Sequence, residues 1–122
     1  MPFPKILRFK YRPLFKQPPV EYAANGAIDI SYDHTALITK GSIAALSVAA
    51  PGAKNIGRKL TITSNTDFAH VVTFTGGTLW DGTAGANSTW TTTVVQGCSL
   101  VVEAISATKW NVIGFNLGTI AP

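Results

Sequence analysis

The chain is short of the groups that carry enzyme chemistry. Of its 122 residues 13% are charged, two are histidine, one is cysteine and one is methionine. A lone Cys98 excludes an intramolecular disulfide and any multi-cysteine zinc site. At the head of an apolar run it reads as a small buried hydrophobe. No run approaches the roughly 18 apolar residues that span a bilayer. Lys5, Arg8 and Lys10 interrupt the N-terminal segment, so no secretory leader is expected. Asn87-Ser88-Thr89 has the glycosylation pattern, which carries little weight without such a leader.

Proline is nearly missing from most of the chain and crowded into one part of it. Pro2, Pro4, Pro13, Pro18 and Pro19 all lie within residues 1–22. Proline donates no amide hydrogen bond and biases its predecessor toward extended geometry, which argues against a regular helix or a central strand there. The charge is just as uneven. Residues 1–22 hold Lys5, Arg8, Lys10, Arg12 and Lys16 against Glu21, which accounts for the whole net charge of +4. Residues 23–122 balance five basic against five acidic side chains. Between the prolines stand Phe3, Ile6, Leu7, Phe9, Tyr11, Leu14 and Phe15, more apolar bulk than a solvated linker carries. Residues 1–22 therefore read as an extended anchoring arm with a reach on the order of 70 Å. Residues 23–122 read as a separate body.

The body is rich in Thr, Val, Ile and Gly, the residues of pleated strands and tight turns. Asn25-Gly26 signals a turn before the alternating Ala27-Ile28-Asp29-Ile30-Ser31. Further strands are expected at 35–39, 43–48, 58–64, 70–75, 89–96, 98–105 and 109–115. Leu60 with Ile62, Trp90 with Thr92 and Val94, and Trp110 with Val112 each share a face. Pro51-Gly52, Ser64 to Asp67, Gly76-Gly77, Asp81-Gly82 and Gln96-Gly97 read as turns. About eight short strands predict an all-β body, a β-sandwich or jelly-roll-like fold. No internal repeat is visible, which argues against a solenoid or propeller. Residues 75–89 read as a long hairpin loop. Trp80 at its centre either folds back into the core or makes an exposed contact with a partner.

Catalysis needs polar groups gathered together with shifted pKa values. The body offers only His34, His70, Asp29, Asp33, Asp67, Asp81 and Glu103. Asp33 and His34 are strand neighbours and face opposite ways. Asp29 and Asp33 are explained by solvation of a turn, and His70 by a strand end beside a turn. The histidines lack metal-ligand spacing, and no glycine loop has the phosphate-binding context. No serine stands in a nucleophile elbow. The chain is expected to be no enzyme and to need no metal and no cofactor.

The arm residues Lys5, Arg8, Phe9, Lys10, Tyr11, Arg12, Phe15 and Lys16 are the expected partner contacts. Nucleic acid would be met through phosphate contacts and base stacking. A membrane surface usually takes an amphipathic helix, which the prolines prevent. Seven large apolar side chains seek hydrophobic pockets, so a protein surface is the expected partner, with nucleic acid and membrane disfavoured. The sparse charge of the body argues for self-association.

Gly57-Arg58-Lys59-Leu60-Thr61-Ile62-Thr63-Ser64-Asn65 leads through Val71-Val72-Thr73-Phe74-Thr75-Gly76-Gly77 to Thr89-Trp90-Thr91-Thr92-Thr93-Val94-Val95-Gln96-Gly97. The series closes on Lys109-Trp110-Asn111-Val112-Ile113-Gly114. This order resembles small structural modules of tailed-bacteriophage virions, the capsid decoration (cement) and head-fibre type, over roughly residues 35–115. The resemblance implies a sandwich or jelly-roll body and a trimeric role on a virion surface. The arm departs from that pattern. The expected function is a non-enzymatic capsid decoration protein, bound to the major capsid protein or another virion protein through its arm. The alternatives are a carbohydrate- or receptor-binding fibre module, stacking sugars on aromatics such as Trp80 and Trp90, and a tail or connector accessory protein.

Overall fold

The computed structural model describes residues 17–83 and 85–122. Eleven strands form among them: β1 (Val20–Tyr22), β2 (Gly26–Ala27), β3 (His34–Ile38), β4 (Ala45–Val48), β5 (Lys59–Ser64), β6 (Val71–Phe74), β7 (Leu79–Trp80), β8 (Thr89–Thr91), β9 (Ser99–Ser106), β10 (Lys109–Phe115) and β11 (Thr119–Ala121). A 3-10 turn spans Ala53–Asn55. The strands make a β-sandwich. One sheet runs β1-β3-β5-β9-β10-β7 and the other β11-β8-β6-β4-β2.

Period-two alternation sets the core. His34, Ala36 and Ile38 of β3, Leu60, Ile62 and Ser64 of β5, and Leu100, Val102 and Ala104 of β9 are buried on one sheet. Leu46 and Val48, Val72 and Phe74, and Trp90 are buried on the other. Each fully buried aliphatic or aromatic side chain contributes on the order of 1.5–3 kcal/mol. Both buried indoles find acceptors. Trp110 Nε1 donates to Ala49 O at 2.8 Å, tying β10 to the end of β4 in the opposite sheet. Trp90 Nε1 donates to Leu117 O at 3.1 Å. Cys98 is buried, as its place in an apolar run implies.

The pairing is largely parallel in the first half of the chain. β1, β3 and β5 stack in parallel in one sheet, and β2, β4 and β6 do the same in the other. The chain therefore climbs one sheet, crosses and descends the other, three times, as a two-sheet solenoid does. The sequence has no fixed period because the turns are unequal: Val20 stacks on Ala36, but His34 stacks on Leu60. β8 and β9 then pair antiparallel to β6 and β5 and end the winding.

Four expectations change in detail. The body reaches back past residue 23, because β1 already belongs to a sheet. Of the alternating segment after Asn25 only Gly26 and Ala27 are strand, since Asp29 caps a turn at Ser31. The strand expected at 89–96 stops at Thr91, and Gly97 turns the chain at a φ of 89°. The expected hairpin loop 75–89 contains β7, which pairs in parallel with β10 and bridges Leu79 to Asn87.

Strand directions define two ends. The connections 23–25, 39–44, 65–70, 92–98 and 116–118 gather at one, called here the distal end. β1 starts and β11 finishes at the other, the entry end.

Candidate functional site

The acidic side chains of the loops are engaged in holding backbone. Asp29 Oδ1 accepts from the Ser31 amide at 2.8 Å and the Ser31 hydroxyl at 2.6 Å. Asp81 Oδ1 accepts from the Thr83 amide and hydroxyl and from Asn87 Nδ2. These donors, the hydroxyls foremost, hold both carboxyls below their ordinary range. Asp33 accepts from the Lys59 amide at 3.1 Å and stands 3.9 Å from Arg58 Nη1. Asp67 accepts from the Gln96 amide at 3.0 Å, joining two distal loops. Short polar side chains in turns do this because they mimic a backbone acceptor.

The histidines are structural in the same sense. His70, expected at a strand end, does precede β6, but it is fully buried. Its Nδ1 accepts from the Ala44 amide at 3.0 Å, which leaves Nε2 to carry the proton toward Thr66 Oγ1 at 2.8 Å. Thr66 passes its own proton to Lys40 O. The ring thus knits two distal loops, 39–44 and 65–70, in its neutral form. Burial lowers its pKa, with the Lys40 ammonium adding to the effect and Thr66 opposing it. His34 stacks on Tyr32 with ring centroids 4.4 Å apart, and its Nε2 lies 3.3 Å from the Tyr22 hydroxyl. Desolvation raises the Tyr22 pKa.

Among the described residues no pocket opens and no three His, Cys, Asp or Glu side chains converge. Asn87 is buried and its amide donates to Asp81, which leaves the sequon closed. What the surface offers is two faces. At the distal end Ile43, Val94, Val95, Phe115 and Leu117 are exposed. They are five of the eight large apolar side chains exposed among the described residues. Sequence reasoning missed this grouping because the five are scattered along the chain and only the shared strand direction assembles them.

The second face is the outer side of the six-stranded sheet. Register aligns Lys59 of β5 with Glu103 of β9, Glu103 with Asn111 of β10, and Asn111 with Trp80 of β7. Inward neighbours Leu60, Val102, Trp110 and Leu79 are buried, so this row points outward. Trp80 is half-buried rather than a core plug, and Lys109 Nζ lies 4.9 Å from its ring centroid. Trp90, grouped with Trp80 in the sugar-stacking alternative, has no exposed surface, since β8 turns it into the core.

The arm contacts expected from the sequence (Lys5, Arg8, Phe9, Lys10, Tyr11, Arg12, Phe15 and Lys16) lie outside the described residues. No protein-family model and no curated protein matches the chain.

Proposed function

We propose that the chain is a non-enzymatic structural protein of a tailed-phage virion, a capsid decoration protein that attaches to the shell through its N-terminal arm. The observation that carries this reading is the polarity of the sandwich. The basic, apolar N-terminal segment joins the body at the entry end, through edge strand β1, while the exposed apolar tips collect at the distal end. Attachment through the arm leaves those tips uncovered, and association of copies, a trimer on the phage resemblance, is what buries them. Closed symmetry achieves this without forming fibres. The use of Asp29, Asp33, Asp67, Asp81 and His70 as loop ties supports a body built for rigidity. The partner is a capsid or other virion protein, with no membrane or nucleic acid required.

The test is the composition of purified particles. Intact particles from the cells that make this chain should carry it at a fixed stoichiometry to the shell protein, on the outer surface. Its recovery only in the particle-free supernatant would reject the assignment.

A further inference from the structure

We infer that the outer face of the six-stranded sheet is a binding strip for an acidic glycan, centred on Trp80. Trp80 stands on the edge strand β7, half-buried, and Asn111 lies directly beside it in register. Glu103 and Lys59 continue the same row across β9 and β5. Sugar rings are recognised by an aromatic face under their C–H groups together with planar amides and carboxylates for their hydroxyls. This row supplies both. Gly114, paired with Val101 on the next row of the strip, has nothing within 4 Å of where a Cβ would stand.

Charge selects the class of sugar. Lys59 and Lys109 flank the row, and Glu103 is its only acid. Among the described residues the single ion pair within 4.0 Å is Arg58 with Asp33, so neither lysine is held by a carboxylate. Lys109 instead lies over the indole, where a cation is attracted to the ring face. A sugar carboxylate placed beside Trp80 gains this ammonium without breaking a salt bridge, and the stacked sugar ring takes the place that Lys109 holds over the indole. A uronate-bearing chain is the ligand that fits the ring, the amide and the surplus cation together. The strip belongs to the body and is independent of the arm's attachment role.

The experiment uses the full chain and short oligogalacturonates, with neutral cello-oligosaccharides of equal length as the comparison. Trp90 and Trp110 are fully buried, so a change in tryptophan emission on titration reports on Trp80. Oligogalacturonate should shift the emission with a dissociation constant in the millimolar range or tighter, and the neutral sugar should bind at least about tenfold more weakly. Asn111→Ala and Lys109→Gln should each weaken binding several-fold. Trp80→Ala, followed by calorimetry, should abolish it while near-ultraviolet circular dichroism stays that of a folded protein. The basic arm also attracts polyanions, and binding that survives Trp80→Ala unchanged would assign the glycan to the arm and overturn the strip. Equal affinity for the neutral sugar, or no emission change with either, would overturn it as well.

Discussion

Replacing His70 by Leu should make the protein less stable at neutral pH and less sensitive to acid, and the two effects have one cause. The imidazole is fully buried and supplies the acceptor for the Ala44 amide, itself in a buried residue. Leucine fills a comparable volume and accepts nothing. An orphaned buried amide costs about 1–3 kcal/mol. Thr66 keeps its bond to Lys40 O, so the loss on that side is smaller. The pH dependence follows from the lowered pKa of His70. Below the ordinary value of 6.5 the unfolded chain takes up a proton that the folded chain refuses. The contribution of His70 is therefore complete above that pH. As pH falls it diminishes, with a slope approaching about 1.4 kcal/mol per pH unit, until the folded-state pKa is reached. The leucine variant lacks this term. Urea unfolding of both proteins, from about pH 8 down to about pH 5, should show a stability gap that is constant above pH 6.5 and narrows below it. A gap that stays constant across the whole range would refute the neutral, amide-accepting role of the ring.

Two further substitutions test the frame. Gly118 has a φ of 101°, and a Cβ there would lie 2.5 Å from Trp90 Nε1 and 2.7 Å from Thr91 O. Gly118→Ala should cost about 2–4 kcal/mol in thermal or urea unfolding, combining backbone strain with a clash against a core indole; a cost below about 0.5 kcal/mol would be inconsistent with this packing. Val94→Lys together with Val95→Lys should leave stability nearly unchanged but reduce the mass seen by light scattering to that of one chain, if the distal tips meet other copies; a mass equal to the wild type's would place self-association elsewhere.

The strands were legible because their alternation is a local property. Leu60 with Ile62 and Leu100 with Val102 declare an inward face whatever the topology. The connectivity was not legible, because parallel stacking joins residues distant in sequence. His34 lies beside Leu60 without any motif to announce it. β7 escaped for a related reason. Two residues in a glycine-rich stretch carry no period, and their pairing with Trp110 and Asn111 is a tertiary event. Trp90 shares its alternation with Thr92, and both are buried; alternation marked the face but did not say which side met water. His70 could have been suspected from the apolar Val71-Val72 that follows it, but its acceptor role depends on Ala44, in another loop. Trp80 stood out in the sequence as a possible exposed aromatic, but the row proposed around it did not, since Lys59, Glu103 and Asn111 join it only through register.

Co-sedimentation of the chain with purified particles tests the central claim most directly, with the full sequence set against a form that begins at Gln17 and keeps every described strand. The full chain should pellet with the particles at saturating stoichiometry. The shortened form should remain folded and stay in the supernatant. Phe9→Ala and Phe15→Ala should each weaken pelleting by about 1–3 kcal/mol if these rings are the anchors, and Lys5→Gln with Lys16→Gln should act mainly on the association rate and its salt dependence. Saturating attachment of the form that lacks residues 1–16 would contradict the account.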